Sequence, residues 1–196
     1  MTGVDLAWLA VVPAYLLGTF PTAILVGRRE GRDPTTEGSG NPGASNAMRT
    51  MGRRAGVLVL AGDVGKGAIA AGGGWLLGGR SVGVACGVAA VLGHVAPATR
   101  GFHGGKGVAT LAGVAAVLFP FPMVVLAVVW AIVAKATGLA SVGSLVLAVG
   151  LPVGAALTGR LWGEVVAVAV AGAVVVARHR DNIDRLRRGE ERSLSE

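Results

Sequence analysis

The chain of 196 residues has little charge, little aromatic surface and almost no cysteine. Only 15% of its residues are charged and 53% are hydrophobic, and its mean hydropathy of +0.65 is too high for a typical soluble domain. The single cysteine, Cys86, excludes an intrachain disulfide and a cysteine-based zinc or iron–sulfur site. Aromatic residues make up 5% of the chain, too few for a surface that stacks nucleic-acid bases. These absences predict a membrane protein with no nucleic-acid partner.

The apolar residues are concentrated in seven runs. A membrane span needs roughly 20 mostly apolar residues, because every backbone amide and carbonyl must be satisfied without water. The runs are residues 4–26, 55–78, 81–99, 107–119, 122–137, 139–158 and 161–178. No lysine or arginine precedes the first run, which is also too long for the core of a signal peptide, so we expect it to be retained.

These runs predict an all-α fold, a polytopic transmembrane helical bundle of seven spans forming one domain over residues 1–196. A count of six stays open at Phe119-Pro120-Phe121-Pro122, although two prolines there disfavour a continuous helix. Pro13, Pro21 and Pro152 are expected to be tolerated inside membrane helices. The 33 glycines and many alanines predict close approach of helix backbones, with Cys86 as one of the small packed residues.

The basic residues are unevenly distributed between alternate loops. The chain has a net charge of +7, and 15 of its 18 lysines and arginines fall in the first, third and fifth loops and the tail. Arg80 and Arg160 alone fall on the opposite side, and Lys66 lies within an apolar run. The positive-inside rule then places the N-terminus outside and the C-terminus in the cytoplasm.

Three polar segments interrupt the apolar runs, and all three fall on the predicted cytoplasmic side. They are Gly38-Ser39-Gly40-Asn41-Pro42-Gly43-Ala44-Ser45-Asn46, Gly104-Gly105-Lys106-Gly107 and Arg178-His179-Arg180-Asp181-Asn182. Their glycines, hydroxyls, amides and cations are the groups that bind anions. We therefore expect them to belong to one anion-binding site.

The first segment matches G-x-G-x-x-G but lacks the hydrophobic strand that a dinucleotide-binding site requires, because residues 28–37 before it are strongly polar. Its glycines can instead form a concave nest of backbone amides around an anion. A flexible surface loop is the alternative. The candidate ligands are Gly38, Ser39, Gly40, Asn41, Gly43, Ser45, Asn46 and Arg49.

Two glycine-flanked lysines, Lys66 and Lys106, fail the P-loop pattern because glycine replaces the serine or threonine that would bind Mg²⁺. ATP hydrolysis is therefore not expected. Lys106, with Gly104, Gly105 and Gly107 at a helix start, suits a phosphate, or alternatively extends to the membrane interface. Asp63 lies three residues before Lys66 in an apolar helix, so the two side chains are expected to pair, either at a functional site or as a structural ion pair.

The third segment contains a possible His179 and Asp184 dyad, which we discount because residues five apart on a continuous helix point about 140° away from each other. His179 and Asn182 fit better as donors to a phosphate or carbonyl oxygen, and an ordinary basic membrane flank is the alternative. Ser141 follows a helix break and offers a hydroxyl or a helix cap. His94 and His103 lack metal-ligand partners, so no metal is predicted.

Taken together and in this order, the segments resemble the PlsY family, bacterial membrane-embedded glycerol-3-phosphate acyltransferases that use acyl phosphate as donor. The resemblance covers nearly the whole chain and rests on residues 38–49, 62–67, 93–110 and 178–186. Two departures occur. Ser45 replaces the usual threonine, and Gly138-Leu139-Ala140 precedes Ser141 where an Arg-Tyr type sequence is common.

The resemblance implies transfer of an acyl chain from acyl phosphate to the 1-hydroxyl of sn-glycerol 3-phosphate, by a monomer in the bacterial cell membrane with its active site facing the cytoplasm and without a cofactor. The residues implied as catalytic are Ser39, Lys106, His179 and Asn182. The residues implied in substrate binding are Gly38, Gly40, Asn41, Gly43, Ser45, Asn46, Arg49, Asp63, Lys66, Gly104, Gly105, Gly107 and Ser141.

Two questions stay open at this stage. Either the donor phosphate or His179 accepts the hydroxyl proton, and no covalent intermediate is needed with either base. A small anion or phosphate-ester transporter is the alternative function, since glycine-broken helices and an intramembrane ion pair occur in transporters too. The short and nearly uncharged outer loops argue against it.

Overall fold

The computed structural model describes residues 6–193, and over that range the chain is helical without a strand, as the all-α prediction requires. It divides into two compact units, an N-terminal unit of Met1–Leu118 and a C-terminal unit of Phe119–Glu196. The prediction of one domain over residues 1–196 stays a prediction.

The N-terminal unit contains four helices and two short 3₁₀ turns. The turns are Trp8–Ala10 and Ala98–Arg100, and the helices are α1 (Val11–Gly18), α2 (Thr22–Arg29), α3 (Ala44–Val95) and α4 (Val108–Leu118). Helix α3 is interrupted by non-helical backbone at Gly52, Gly78 and Gly79. We name its three pieces α3a (44–51), α3b (53–77) and α3c (80–95).

The C-terminal unit contains four further helices: α5 (Pro120–Thr137), α6 (Ala140–Leu157), α7 (Trp162–Ala177) and α8 (Arg180–Arg188). Helices α5 and α6 are separated by Gly138 in the left-handed conformation, which ends α5. Helices α7 and α8 meet at a bend of 55°.

Each of the seven predicted apolar runs contains a helix, and Phe119 leaves the helical conformation, which separates the fourth run from the fifth. Pro13 and Pro152 lie inside helices as expected. The expectation for Pro21 is wrong, because the chain leaves the helical conformation there and divides the first run into α1 and α2. A proline ring removes an amide donor and crowds the preceding turn, which favours this break. The sequence reasoning also missed α3a and α8.

Length and composition qualify four helical segments of residues 6–193 as membrane spans, and a fifth if the bent pair α7 and α8 counts as one. One of the four, Ala44–Arg100, has 57 residues and includes both the second and the third run. Helix α4 has 11 residues and is therefore about 17 Å long, shorter than the hydrocarbon core of roughly 30 Å. The fourth run is thus an apolar helix too short to cross by itself.

Helices of the N-terminal unit pack backbone against backbone at glycine. A β-carbon on Gly67 of α3b would overlap the carbonyl of Thr110 in α4, and one on Gly113 of α4 would overlap the carbonyl of Val64. Cys86 is buried and packs against Gly74. The predicted close packing of small residues is therefore present. Such packing suits a membrane, because lipid provides no hydrophobic driving force between helices and close contact must hold them together.

Replacement of Gly67 by alanine should destabilise the protein, because the added methyl group has only the backbone of α4 to displace. We expect Gly67→Ala to lose about 1–3 kcal/mol of stability, the usual cost of overpacking. Gly65→Ala is the matched control, since a β-carbon there meets nothing within 4 Å. Thermal unfolding in detergent measures both variants. Equal melting temperatures for the two would contradict the close approach of α3b and α4.

Candidate active site

The first glycine segment is a structured loop held by Asn46, the third residue of α3a. The Asn46 amide nitrogen donates to the carbonyls of Pro34 and Glu37, each at 3.0 Å, and its Oδ1 accepts the Ser39 amide at 2.8 Å. Gly38 has φ +62°, and a β-carbon there would overlap the Asn46 oxygen. Asn46 therefore positions the loop, because its side-chain amide forms hydrogen bonds with the loop backbone.

The side-chain hydroxyls of this segment, Ser39 and Ser45, are exposed. Ser45 lies in the first turn of α3a, where backbone amides have no partner within the helix and the helix dipole favours a negative charge. Gly40, at φ +68°, completes the turn before it. The segment therefore presents hydroxyls beside a helix N-terminus, as an anion-binding loop requires.

A second set of contacts fixes the polar stretch before the glycines. The Asp33 carboxylate accepts hydrogen bonds from the Thr35 hydroxyl at 2.6 Å and the Thr35 amide at 2.8 Å, and these bonds hold the pKa of Asp33 below its usual value. Arg32 and Glu37 form an ion pair at 2.7 Å. The loop is thus ordered by its own side chains before any ligand binds.

The predicted pair of Asp63 and Lys66 is present and buried. Lys66 Nζ lies 2.9 Å from Asp63 Oδ1, and each side chain is only 3% exposed. Lys66 also donates to the carbonyl of Phe20 at 3.2 Å, at the break between α1 and α2. His94, at the end of α3c, brings its Nδ1 to 3.6 Å from the same Asp63 oxygen. We call Asp63, Lys66 and His94 the buried polar cluster.

The second glycine segment lies against this cluster. The Gly105 amide donates to the carbonyl of His94 at 3.1 Å. A β-carbon on Gly105 would overlap the His94 ring, and one on Gly104 would overlap the His94 carbonyl. Gly107, at φ +88°, then turns the chain into α4. Lys106 is consequently held at a helix start, as predicted, by glycines that fit the surface of His94.

A small cleft opens beside the buried polar cluster and is lined by residues from six parts of the N-terminal unit. Asp63 supplies its carboxylate, and Lys66 and Arg100 supply two cations. Its lining also includes Pro42 from the first glycine segment and Gly105 from the second. Cations outnumber carboxylates here, so the cleft favours an anion. The first two polar segments therefore lie at the same end of this unit.

The third polar segment lies at the bend between α7 and α8. His179 is 2% exposed, and its Nδ1 is 2.8 Å from the carbonyl of Val175. This contact favours a proton on Nδ1, so the neutral ring carries its lone pair on Nε2. Asn182 is also buried and lies in the first turn of α8. The continuous helix assumed for His179 and Asp184 is wrong, because the chain bends at His179; Asp184 lies 3.8 Å from Arg187.

Ser141 lies in the first turn of α6, after the break at Gly138. It is 6% exposed, and its hydroxyl is buried with no hydrogen-bond partner among residues 6–193. A buried hydroxyl without a partner is costly. This favours the prediction that Ser141 contacts a ligand over the alternative that it caps the helix.

Known proteins resemble this chain over nearly its whole length. The family model described as glycerol-3-phosphate acyltransferase matches residues 8–189. The chain belongs to the glycerol-3-phosphate acyltransferase family. A relative of that name from Thioalkalivibrio sulfidiphilus is 43% identical, covering 95% of this chain and 93% of its own. Another from Syntrophomonas wolfei is 38% identical and covers 95% and 96%.

Two solved structures of an integral membrane member of this family, PlsY (YgiH), share the fold. Its glycerol 3-phosphate form has a TM-score of 0.90 and 34% identity, covering 95% of this chain and 94% of that one. Its lysophosphatidic acid form has a TM-score of 0.88. The predicted family and the polytopic membrane fold are therefore confirmed.

Sequence reasoning missed His94 and Arg100, which this cleft of the acyltransferase contains. The signal for His94 was present, because Gly93-His94 stands inside the resemblance, but only metal ligation was considered for it. The second missed residue is Arg100, whose Nη2 donates to the carbonyl of Thr19 at 3.5 Å. In the N-terminal unit the structure brings Asp63, Lys66 and Gly105 together at the cleft. Ser141, His179 and Asn182 belong to the C-terminal unit.

Removal of one charge from the buried polar cluster should cost more than removal of both. Lys66→Met leaves Asp63 buried without its closest cation, so we expect a loss of about 3–5 kcal/mol. The double variant Lys66→Met with Asp63→Asn should recover part of that loss, because it buries no unpaired charge. Thermal unfolding in detergent measures both, with Lys135→Met as the exposed control. A double variant less stable than Lys66→Met would contradict the charge pairing.

Proposed function

We propose that this protein transfers an acyl chain from acyl phosphate to the 1-hydroxyl of sn-glycerol 3-phosphate. The hydroxyl oxygen bonds to the acyl carbonyl carbon, the bond from that carbon to the phosphate oxygen breaks, and the products are lysophosphatidic acid and inorganic phosphate. One observation carries the proposal: the likeness over 95% of the chain to the glycerol 3-phosphate form of PlsY. A transporter is not favoured, since the relatives are named as acyltransferases.

The chemistry needs positioned anions and stabilised charge more than it needs a nucleophile. Acyl phosphate is a mixed anhydride with a stable leaving group. Holding both substrates in the reacting geometry therefore supplies much of the rate enhancement. The ordered loop of Gly38, Ser39 and Gly40 offers amides and a hydroxyl to the acyl-phosphate head. Lys106 and Arg49 offset phosphate charge, and Asn41, Gly43, Ser45 and Gly107 complete the contacts of the N-terminal unit.

The C-terminal unit contributes the remaining donors. Ser141 offers the buried hydroxyl that has no partner among residues 6–193. Asn182 offers an amide, and His179 a ring whose Nδ1 faces the carbonyl of Val175. We propose that these three side chains contact the substrates. No metal or cofactor is assigned a role.

We propose that the donor phosphate accepts the hydroxyl proton and leaves with it, with His179 as a hydrogen-bonding residue. The alternative assigns the proton to Nε2 of His179. The first route needs no proton relay, because the phosphate oxygen that takes the proton belongs to the leaving group. It also forms no covalent intermediate on the enzyme.

We also propose that the protein is a monomer of the bacterial cell membrane with its active site facing the cytoplasm. The positive-inside rule supports this side, because 15 of the 18 basic residues fall in the loops and tail assigned to it. The cleft adds support, since Pro42 of the first loop and Gly105 of the third line it together.

The reaction is tested with purified protein, acyl phosphate and labelled glycerol 3-phosphate, without ATP or added metal. We expect labelled lysophosphatidic acid and an equal amount of inorganic phosphate. Lys106→Met should lower the rate at least about a hundredfold, as loss of a charge-stabilising donor does. The matched control Lys135→Met removes an exposed lysine and should leave the rate unchanged. Product formed from acyl-CoA or acyl carrier protein, but not from acyl phosphate, would overturn the assigned donor.

The role of His179 is tested by His179→Gln, which keeps a hydrogen-bonding group but removes the titrating ring. If the donor phosphate is the base, we expect a modest fall in kcat, about tenfold, together with a raised KM for glycerol 3-phosphate. The pH dependence of kcat should keep its shape. Near-total loss of kcat at saturating substrate with unchanged KM would instead make His179 the general base.

A further inference from the structure

Glu191 follows α8 in the chain and folds back onto the polar face of that helix. Gly189, at φ +70°, ends α8. The amide of Glu190 then donates to the carbonyl of Arg185 at 2.8 Å, and that of Gly189 to Leu186 at 3.2 Å. This pair of bonds is a Schellman motif, which reverses the chain at a helix end. Glu191 is thereby turned back along the helix.

The Glu191 carboxylate binds two side chains of α8. Oε1 accepts the Asn182 amide nitrogen at 2.6 Å, and Oε2 accepts Arg185 Nε at 2.9 Å. Asn182 and Arg185 are three residues apart and so share one face of the helix. The side chain of Glu191 is only 6% exposed. A carboxylate is buried at low cost only when it is paired and hydrogen-bonded, as this one is.

The neighbouring glutamate provides an internal comparison. Glu190 pairs with Arg188 at 2.8 Å, but both side chains are about 60% exposed. Such surface pairs contribute little, because solvent screens them. Two adjacent carboxylates of the same tail therefore differ in burial and in partner. Of the two, Glu191 is the one that contacts Asn182, which we propose acts on the substrates.

Glu191 also constrains which way the Asn182 amide faces. An ionised carboxylate only accepts hydrogen bonds, so the amide must direct its nitrogen towards Glu191 and its oxygen away. Loss of this partner would remove the acceptor that favours this orientation over the one in which nitrogen and oxygen exchange places. A substrate that matches one orientation of the Asn182 amide would then sometimes encounter the opposite orientation.

We propose that Glu191 is a positioning residue of the acyltransferase, which fixes the orientation of the Asn182 amide and pairs with Arg185. The inference rests on the proposed function, because it takes Asn182 as a substrate-contacting residue. Glu191 acts through Asn182 and touches no substrate itself. Its effect on activity must therefore disappear when Asn182 is removed.

The test is a double-mutant cycle in the full-length protein, with glycerol 3-phosphate as the varied substrate. We expect Glu191→Gln to lower kcat/KM about tenfold to a hundredfold, as loss of a charge-assisted hydrogen bond does. Glu190→Gln, the control, should change it less than about twofold. In an Asn182→Ala background, Glu191→Gln should change kcat/KM less than about threefold, because coupled residues are not additive.

The outcomes separate the inference from its alternatives. An equal loss in both backgrounds would show that Glu191 only supports the fold of the tail, and a gain in activity would show that it blocks Arg185 or Asn182 from the substrate. Either result overturns the proposal, as does an unchanged rate. If Glu191→Gln does not purify as a folded protein, Glu191→Asp, which retracts the carboxylate by one methylene, allows the same comparison. Inactive wild-type protein would count against the proposed function instead.

Discussion

A charged pair inside an apolar helix is the constraint on which the N-terminal unit depends. Asp63 and Lys66 are stable there only because each finds further partners, and these partners come from distant segments. Lys66 satisfies the carbonyl of Phe20, which the break before α2 leaves available. His94 approaches the carboxylate from α3c and supports Gly104 and Gly105. One ion pair thus connects the break between α1 and α2, the end of α3c and the loop that carries Lys106.

The glycines of the site fit this arrangement as well as the phosphate binding that we propose for them. Gly104 and Gly105 lie where any side chain would overlap His94, and Gly38 lies where one would overlap Asn46. Glycine therefore has one observed use in these loops, close approach to protein, and one that we propose, close approach to an anion. Asn46 and His94 contact these loops directly, so the protein itself holds the backbone around Ser39 and Lys106.

Much of the fold and part of the site could be predicted from the sequence. Hydropathy located the helices of the seven apolar runs, since that signal is summed over many residues. The pairing of Asp63 with Lys66 followed from helical spacing alone. His94 could not be placed beside them, because its neighbours depend on how α3 folds back after Gly79. The contact of Glu191 with Asn182 was equally inaccessible, because it depends on the reversal at Gly189. The break at Pro21 was underestimated, since membrane helices often tolerate proline and tertiary partners decide the outcome.

The burial of Cys86 has a practical consequence. A thiol that is packed against Gly74, away from solvent, is shielded and reacts slowly with alkylating reagents. The natural chain should therefore give little signal with thiol-reactive labels, so its own cysteine need not be removed before site-directed labelling. A single cysteine introduced into any one loop would be the only accessible thiol, and a reagent that cannot cross lipid would report which side of the bilayer that loop occupies.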